Sequence, residues 1–539
     1  MIISIVLDTE YMGVEERNKW FLKSVSNATK EDMLIITHSY FKDHINEVVE
    51  GCAERFYEEF EMNHVPVEEI KKLDICYISD EMLDVVYDNC GCKTKQILFL
   101  FNNRVKEMED CMISFIDKAL ERRSITKPDY IMNCLHTFAS IKYLAEHYGC
   151  PLIPYVFSAI RRVHGYTQTL YMAHIGKDLF NSNACEELYS TCNKNDIGFP
   201  LLKKSEILAL LGKKHNIPLI PVMEREGVYD VGIVGEGFHI TPEIYQGDAV
   251  TDDDLYFECK RFNGFKNIIT RQHPMQLDKA GIGRNHMKND PVAFLLSCNH
   301  VVTVQSQMIM KAAMWNRAAV AMSNALPYAY LLNRRLIGAK PINDFDLNFI
   351  LFIYFVPDTC MFNSDYWKWR MSKPTVAEIA KKHMETILSG LCIPLDILEI
   401  RENRIQKILQ YRGYSDKQID KLFHPNSIFD VPYDYPTSYF KCSKDDGSIV
   451  SLFSLNHKND EYINTSVELP EKCVKCEFIP QNDLDGYITL ETLTINGKSV
   501  LIDNSEKYYS KNQPVVSIIL EGSTSFKFNA KFTIKPYIT

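Results

Sequence analysis

The segment HVVTVQSQMIMKAAMW, from His300 to Trp315, joins an apolar run to a stretch with helical spacing through Gln305 and Ser306. We interpret Val301–Val304 as a buried parallel strand and the residues from Gln307 onward as the helix that follows it. Ser306 would then be the helix N-cap, where free backbone N–H groups and the helix dipole favour an anion. A serine that only caps a crossover helix gives the same pattern, so this segment indicates a fold more directly than a ligand.

Apolar runs separated by helix-length segments extend in both directions from this segment. Beyond Tyr229 the runs are VGIVG, NIIT, HVVTV and AAVAM, and the first half contains KQILFLF, PDYIM and PLIPYVF. Strands that alternate with helices are typical of parallel sheets, because each parallel pair needs a crossover connection. We therefore expect an α/β fold with two Rossmann-type domains facing a cleft, over residues 1–220 and 221–345.

The last third of the chain has different patterns. Residues 346–435 favour helices, one of which begins near Pro374 and ends at Gly390. In the tail, YITLETLTINGKSVLI alternates with period two around Asn496-Gly497, which predicts a hairpin. We expect a helical segment that closes the two-domain core, followed by an antiparallel β-sandwich over residues 436–539.

Composition argues against several classes of protein. The 60 Lys+Arg and 70 Asp+Glu residues give a formal charge of -10, so no overall basic field would attract nucleic acid. The longest apolar run, Phe349–Val356, is far shorter than the roughly 20 residues that cross a bilayer. The 16 cysteines are scattered and no signal peptide is recognisable. We expect a cytoplasmic protein with reduced thiols and no structural metal, free in solution or peripheral at the inner membrane face.

The strand NIIT leads into a second polar loop, RQHPMQ. Because the carboxyl ends of parallel strands share one edge, we expect His273-Pro274 and Gln305-Ser306 at the ends of adjacent strands, facing one ligand. His273 is able to donate to a phosphate oxygen or to protonate a leaving phosphate near neutral pH. An anchoring role in the loop is the alternative for His273.

Basic side chains continue beyond this loop and form a local cationic cluster in an acidic protein. They are Lys279, Arg284, His286 and Lys288. Such a cluster suits the phosphates of a nucleotide. The predicted nucleotide-binding residues are therefore Arg271, Pro274, Lys279, Arg284, Gln305 and Ser306.

The segment NDPVAFLLSCNHVVTVQSQMIMKAAMWNRAAV resembles the donor-binding domain of bacterial GT-B glycosyltransferases that use CMP-activated sugars, especially β-Kdo transferases of capsule and lipopolysaccharide synthesis. Those enzymes and related bacterial sialyltransferases carry an HP motif and a Ser-containing strand-to-helix motif around the cytidine nucleotide. The following LNFILFIYFVPDTCMFNSDYWKWRMSKPTVAEIAKKHM is similar to the region after that domain. The resemblance covers Tyr229–Met384. It implies a GT-B-like fold, with His273-Pro274 at the nucleotide phosphate and Gln305-Ser306 beside them.

Two departures from the family pattern concern acidic residues. Lys311-Ala312 stands where those proteins usually have a Glu-Ala pair on the helix. In the first domain, Val156-Phe157-Ser158 precedes Ile160-Arg161 where capsule-type enzymes place a Glu-Asp-Gly motif ahead of an arginine. This segment therefore lacks an acidic residue at the position where the capsule-type enzymes have their catalytic acid.

The catalytic carboxylate must then come from another segment. Glu236 lies between two glycines after VGIV and is the first candidate, with His273 as its catalytic partner. Weaker candidates are His239, Glu243 and Asp248. Each of these four residues, Glu236 included, is also interpretable as a surface loop residue. Arg161 and Arg162 would hold an anionic acceptor or a sugar carboxylate, unless they only begin a solvated helix.

Thr251-Asp-Asp-Asp254 has the D-x-D spacing of a metal-binding transferase motif. No strand precedes it, so we interpret it as a solvated acidic turn and expect no metal.

The leading hypothesis is a metal-independent glycosyltransferase that transfers Kdo or a related ulosonic acid from a CMP donor to a surface polysaccharide or lipopolysaccharide. Its partners would be the nucleotide sugar, as a co-substrate rather than a cofactor, and a glycan or glycolipid acceptor. A UDP-, GDP- or dTDP-sugar donor is one alternative. A degenerate, non-catalytic glycan-binding protein, with the tail as its recognition module, is another.

Overall fold

The structure is a computed structural model. It describes residues 1–7, 14–52, 54–79, 82, 93–180, 182–194, 196–213, 220–224, 226–227, 229–235, 252–261, 265, 267–271, 291–324, 326–424, 438–446, 449–455, 462–479, 486–495, 498–499, 507–509 and 516–536.

The strands form three sheets in the described part of the chain. Their bounds are β1 Ile2–Val6, β2 Met33–His38, β3 Ile75–Ile78, β4 Tyr130–Cys134, β5 Leu152–Phe157, β6 Leu170–Ala173, β7 Tyr229–Val234, β8 Ile268–Arg271, β9 Cys298–Thr303, β10 Ala318–Ala321, β11 Phe355–Pro357, β12 Ser438–Ser443, β13 Ile449–Leu455, β14 Tyr462–Ile479, β15 Gly486–Ile495, β16 Lys498–Ser499, β17 Lys507–Tyr509 and β18 Val516–Pro536.

The helices occupy the connections between these strands and the segment after β11. Their bounds are α1 Val14–Ala28, α2 Tyr40–Asp43, α3 Ile45–Glu50, α4 Glu54–Glu59, α5 Val67–Ile70, α6 Lys93–Asn102, α7 Lys106–Arg122, α8 Ala139–Tyr148, α9 Asn183–Ser190, α10 Lys204–Leu211, α11 Ile220–Met223, α12 Asp252–Arg261, α13 Pro291–Leu296, α14 Met308–Met314, α15 Asp344–Phe349, α16 Asp358–Met361, α17 Ser364–Met371, α18 Val376–Gly390, α19 Arg404–Tyr411 and α20 Asp416–Phe423.

The first sheet has the order β3-β2-β1-β4-β5-β6-β11, and β3 through β5 are parallel. Every residue of β1, β2, β4 and β5 is buried, which explains why these strands are continuous apolar runs rather than alternating ones. Helix α8 ends at Gly149, whose φ of 56° gives the left-handed C-cap expected there. The α/β character predicted for this half is therefore confirmed.

The last strand of the first sheet comes from far along the chain. β11 pairs antiparallel with β6, through Phe355 opposite Met172 and Pro357 opposite Leu170. The backbone N–H of Asp358 then donates to the carbonyl oxygen of Thr169 at 3.1 Å. The chain thus returns to its first sheet after completing the second.

The second sheet has the order β8-β7-β9-β10, and all its pairings are parallel. Gly232 in β7 allows α13 to pack closely, since a Cβ there would lie 2.9 Å from the ring of Phe294 and would also meet the Cys298 sulfur. The prediction that the HP and QS loops follow adjacent strands is wrong, because β7 lies between β8 and β9. Strand order depends on pairing between distant segments, which local apolar patterns do not encode.

The first and second sheets share one hydrophobic core. A single cluster of buried side chains includes Val6 and Phe157 of the first sheet together with Tyr229 and Val301 of the second. Each fully buried large apolar side chain contributes about 1.5–3 kcal/mol, so this shared core holds the two halves together.

The tail forms one antiparallel sheet in its described residues, in the order β13-β12-β14-β18-β15-β16, with β17 also pairing with β15. Ile495 pairs with Lys498, so the hairpin predicted around Asn496-Gly497 is present. The antiparallel character is confirmed, whereas the stacking of two sheets into a sandwich remains a prediction.

Two local predictions were wrong. The run KQILFLF lies within helix α6 rather than in a strand, and it buries Ile97 and Leu100 while Phe99 is 40% exposed. Asp252 to Asp254 begin helix α12 instead of forming an acidic turn. Across the described ranges, no helix is both long and apolar enough to span a membrane.

Candidate functional site

The carboxyl edge of the second sheet has the topology of a ligand site. From β7 the chain passes to β8 on one side, and β9 then pairs on the other side of β7. In open α/β sheets the crevice outside such a switch in strand order is where ligands bind. Gly235 follows β7 and Gln305 follows β9 closely, so both lie at this switch point.

Hydrogen bonds hold this edge together. The hydroxyl of Thr303 donates to the carbonyl oxygen of Val234 at 3.2 Å, which ties the end of β9 to the end of β7. The backbone N–H of Gly235 donates to the carbonyl oxygen of Arg271 at 2.8 Å, which ties β7 to β8. The ends of all three strands are therefore in one rigid arrangement.

Ser306 lies in the turn between β9 and α14. Its backbone N–H donates to the hydroxyl oxygen of Thr303 at 3.0 Å, and its own hydroxyl accepts from the N–H of Met308 at 3.4 Å. The N-cap is Gln307, in αR geometry, and not Ser306 as predicted. The N-cap position is therefore shifted by one residue, and the anion seat predicted at this turn stays a prediction.

Most of the predicted donor-site residues lie outside the described residues, and their roles stay predictions. They are Glu236, His239, Glu243, Asp248, His273, Pro274, Lys279, Arg284, His286 and Lys288. Arg271 is described: it ends β8, is half-buried and stands at the same sheet edge as Gln305 and Ser306. Strands are spaced about 4.8 Å apart, so a ligand reaching the ends of both β8 and β9 must span about 10 Å.

Arg334 adds a cation to this edge that the sequence analysis missed. The hydroxyl of Ser323, just beyond β10, donates to the carbonyl oxygen of Val304 at 2.8 Å. An Nη atom of Arg334 donates to the carbonyl oxygen of Ser323 at 2.6 Å. The guanidinium of Arg334 therefore lies beside the ends of β9 and β10.

The loop after β5 lies at the carboxyl edge of the first sheet and contains both predicted arginines. An Nη atom of Arg161 lies 2.9 Å from Nε2 of His164. Arg162 forms an ion pair with Glu61, and both side chains are partly exposed. These arginines are therefore held in defined positions, and Arg162 also begins a one-turn 3-10 helix that ends at His164, so the alternative of a helix start is borne out as well.

Three cations gather around His164. Lys311 of α14 has its Nζ 5.6 Å from the centroid of the Tyr166 ring. Lys19 of α1 and Arg161 both lie over the ring of Phe157, at 5.9 Å and 5.4 Å from its centroid. Burial, followed by the charges of Arg161, Lys311 and Lys19, holds the pKa of His164 far below its usual range. We call Lys19, Arg161 and Lys311 the inter-sheet cation cluster, because Lys311 lies in the helix after β9 of the second sheet, whereas Lys19 and Arg161 lie in α1 and in the loop after β5, which follow strands of the first sheet.

Glu61 is the carboxylate of this region that sequence reasoning missed. Burial and the neighbouring charge of Asp358 raise its pKa, while Arg162 and Lys23 act in the opposite direction. Its φ of 48° is uncommon for a residue other than glycine. A carboxyl with a raised pKa at a sheet edge is a candidate functional group. No local sequence pattern predicts a functional role for Glu61, because its positive φ angle and its charged neighbours both arise from tertiary structure.

No family model matches the chain, and no curated protein matches it. Among solved structures, the beta Kdo 2,4 transferase KpsC of Thermosulfurimonas dismutans has 14% identity and a TM-score of 0.27, covering 41% of this chain and 78% of that chain. A UDP-GlcNAc 2-epimerase of Methanocaldococcus jannaschii has 11% identity and a TM-score of 0.24, covering 65% and 98%. The Streptomyces glycosyltransferase SsfS6 has 12% identity and a TM-score of 0.23, covering 71% and 95%. At such TM-scores the similarity carries no functional assignment.

Within the described residues, no group of three His, Cys, Asp or Glu side chains is arranged to hold a metal. Among the residues that the structure describes, several cations lie near the two sheet edges, including Arg161, Arg162, Arg271 and Arg334, in a protein whose formal charge is -10. This arrangement is suited to binding anions such as phosphate and carboxylate.

Proposed function

We propose that this chain is a glycosyltransferase that moves a sugar from a nucleotide-activated donor at the second sheet to a glycan acceptor at the first. The proposal rests on one observation: groups at the carboxyl edge of the first sheet lie close to groups at the carboxyl edge of the second sheet. Tyr166, in the loop after β5, contacts Lys311 in the helix after β9. Groups that follow parallel strands of two different sheets thus face each other, as donor and acceptor sites must.

The donor nucleotide is proposed to lie over the ends of β7, β8 and β9. Ser306 and Gln305 would contact its phosphate from the β9 side, together with Arg334, and His273-Pro274 are proposed to contact it from the β8 side of β7. The departing phosphate would be stabilised by these donors and cations without a metal, because preformed dipoles and charges lower the energy of developing charge. His273 is proposed to protonate the leaving phosphate, and Glu236 to activate the acceptor hydroxyl.

The donor is proposed to be a CMP-linked ulosonic acid such as Kdo. Such a sugar carries a carboxylate in addition to the nucleotide phosphate, and both anions suit the cations at these edges. The sequence resemblance over Tyr229–Met384 supports the same class of donor. The acceptor of the proposed transferase would be a surface polysaccharide or a lipopolysaccharide.

A nucleotide panel tests the donor class. Thermal unfolding is followed with CMP, UDP, GDP and dTDP, because a ligand that binds only the folded state raises its stability. We expect CMP to raise the midpoint temperature of unfolding more than the other three nucleotides do. A larger shift with another nucleotide would assign a UDP-, GDP- or dTDP-sugar donor, and no shift with any of them would remove the nucleotide site.

Single-turnover assays with CMP-Kdo and a panel of glycan acceptors test the reaction. Transfer that is unaffected by EDTA is expected. Ser306→Ala should slow transfer at least tenfold, as loss of a hydrogen bond to a charged group costs about 1.5–3 kcal/mol. Ser372→Ala, on an exposed turn after α17, is the matched control and should leave transfer unchanged. Donor binding without transfer or hydrolysis would instead identify a non-catalytic glycan-binding protein.

A further inference from the structure

A groove with a cavity volume of about 690 Å³ lies between helix α18 on one side and helices α16 and α17 on the other. That volume is within the roughly 300–1,000 Å³ that is typical of small-molecule sites. The lining combines a partly exposed aromatic ring, that of Trp369, with side chains that are mostly polar or charged. We infer that this groove binds a glycan of more than one sugar, with Trp369 stacking on a sugar ring.

Helix α18 contributes a polar stripe to the groove. Its lining residues are three or four positions apart, so they share one face of the helix. They are Glu378, Lys381, Lys382, Glu385 and Thr386. At 1.5 Å per residue the stripe is about 12 Å long, which exceeds the length of one sugar ring. An oligosaccharide therefore fits the groove better than a monosaccharide does.

Four charged groups of the groove are available to a ligand. Asp365, Lys381, Lys382 and Glu385 form no hydrogen bond or ion pair through their side chains within the described part of the chain. A carboxylate accepts hydrogen bonds and an ammonium group donates them, whereas a sugar hydroxyl does both. With Glu378 the lining has three carboxylates and two lysines, so it is nearly neutral and has no field that attracts a polyanion. This lining suits a neutral polyhydroxyl ligand.

Trp369 supplies the apolar part of the site. Its ring packs on that of Tyr366, with the centroids 5.8 Å apart. The indole N–H has no acceptor among the residues that the structure describes. The C–H face of a sugar ring is apolar and its rim is polar, as an aromatic ring with a polar group beside it requires. Trp369 therefore presents both an apolar face and a hydrogen-bond donor to a sugar.

Contacts between the two helices hold the ring of Trp369 in place. The hydroxyl of Tyr366 donates to Nε2 of His383 in α18 at 2.6 Å and accepts from an Nη atom of Arg370 at 3.0 Å. Nδ1 of His383 donates in turn to the carbonyl oxygen of Phe352 at 3.1 Å. Tyr366 and His383 are both buried. The groove is therefore preformed, which lowers the cost of ordering it around a ligand.

One end of the groove reaches the carboxyl edge of the first sheet. Cys360 and Thr386 line this end, with Sγ and Oγ1 3.5 Å apart. The carbonyl oxygen of the next residue, Ile387, accepts from Nε2 of Gln168 at 2.7 Å. Gln168 lies just before β6, and β6 begins at the carboxyl end of β5 because the two strands are antiparallel. A ligand at that edge can therefore continue into the groove.

The other end of the groove lies toward the amino edge of the same sheet. Lys368 in α17 has its Nζ 3.8 Å from the carboxylate of Asp129, which directly precedes β4. Trp369 is the next residue after Lys368. We assign the groove to the distal sugars of the acceptor, whose reacting end would lie at the carboxyl edge. This assignment to the acceptor rests on the proposed function, whereas the glycan site itself does not.

A printed glycan array, probed with the full chain, tests the site. We expect retention on glycans of two or more sugars, and a chain that binds none of them overturns the inference. Trp369→Ala and Glu385→Gln should each weaken binding about tenfold or more, because each removes a contact with the sugar. Trp369→Phe should bind more tightly than Trp369→Ala, since it retains a ring.

Two exposed positions outside the groove supply matched controls. Tyr411→Ala removes an aromatic ring that is 52% exposed, and Glu399→Gln neutralises an exposed carboxylate. Both variants should bind like the parent chain. Circular dichroism establishes that each variant is folded. A folded Trp369→Ala variant with full affinity overturns the site.

Tryptophan fluorescence locates the glycan in the parent chain. Trp20, Trp315 and Trp367 are buried, at 1%, 2% and 0% exposure, so a quencher in solution reaches Trp369 most readily. A glycan retained on the array should lower the quenching constant of acrylamide when it is added at saturation. An unchanged quenching constant would show that the glycan binds elsewhere and would overturn the site.

Acceptor length separates the site from the proposed reaction. In Trp369→Ala, KM for an acceptor long enough to enter the groove should rise about tenfold, while KM for the shortest acceptor and for the donor stays within twofold. An equal rise for short and long acceptors overturns the acceptor assignment. Failure of the proposed function is seen separately, since transfer from CMP-Kdo would be absent while glycan binding and protection of Trp369 persisted.

Discussion

Lys23 in α1 donates a hydrogen bond to the carboxylate of Asp358 at 3.1 Å, across 335 positions of sequence. Both side chains are buried, at 3% and 7% exposure. Lys23 also donates to the carbonyl oxygen of Phe60 at 2.6 Å, and the hydroxyl of Tyr171 donates to Asp358 at 2.8 Å. The pair therefore joins the first helix to the segment that follows the returning strand β11, with both charges hydrogen-bonded.

Lys23→Met should destabilise the protein by about 3–5 kcal/mol, because it leaves the Asp358 carboxylate buried without its cation. Urea unfolding of the single variants and of Lys23→Met with Asp358→Asn gives a double-mutant cycle. The double variant should be less destabilised than the sum of the two. If the losses of unfolding free energy in the two single variants add up to the loss in the double variant, Lys23 and Asp358 do not interact.

Gly198→Ala should destabilise the protein more than Gly413→Ala. Gly198 has φ 90° and a Cβ there would collide with the carbonyl oxygen of Ala377 in α18, whereas Gly413 has φ 81° and nothing within 4 Å of its Cβ position. Both variants bear a backbone strain of about 1–2 kcal/mol, and only Gly198→Ala adds a steric clash. Thermal unfolding compares them, and equal losses would contradict the close approach of α18.

His383 should make stability depend on pH between about 6.5 and about 3. Burial, with the charge of Arg370 nearby, lowers the pKa of His383 to about 3, and the neutral ring accepts from the Tyr366 hydroxyl and donates to the carbonyl oxygen of Phe352. In this range the unfolded chain binds a proton that the folded chain excludes, so stability falls as pH falls, by up to ~1.4 kcal/mol per pH unit.

His383→Gln should flatten that dependence in urea unfolding measured at several pH values. His44→Gln is the control, because the His44 ring is 43% exposed. An unchanged slope in His383→Gln would show that another group dominates.

Arg162→Met should raise the pKa of Glu61 further, because Arg162 is the first of the two cations that oppose the effect of burial. A carboxyl with a raised pKa binds its proton more readily in the folded chain, so stability falls as pH rises from about 4.5 through the folded-state value. We expect this loss to be larger in Arg162→Met than in the parent, and absent when Glu61→Gln is added. Carboxyl infrared bands follow the titration directly, and an unshifted band would contradict the ion pair.

The strands β7, β9 and β10 were predictable because parallel strands buried on both faces are short, continuous apolar runs. KQILFLF has the same local pattern but is a helix, since a short apolar run does not distinguish a buried strand from one face of a helix. The segment FILFIYFV was recognised as apolar, yet nothing in it indicates that Phe355–Pro357 pairs with β6. Long-range pairing also decides that β7 separates β8 from β9.

In the candidate site, too, the residues that follow predicted strands were predictable, whereas those brought together by long-range contacts were not. Arg161 and Arg162 are predictable as site residues because they follow a predicted strand directly. Lys19 and Glu61 are distant in sequence and meet them only in the folded chain, so no spacing rule points to them. Lys311 departs from a family pattern in the sequence, and only the fold shows that it contacts Tyr166.

Strand β11 is synthesised long after β6, its partner in the first sheet, and this order has a consequence during synthesis on the ribosome. Until Phe355–Pro357 emerges, strand β6 of the first sheet presents an unpaired edge to solvent, and Lys23 is without Asp358. Such an edge is a template for pairing with other chains. The nascent protein therefore has to shield that edge until more than 350 residues have been translated, and a truncated product ending before β11 should aggregate.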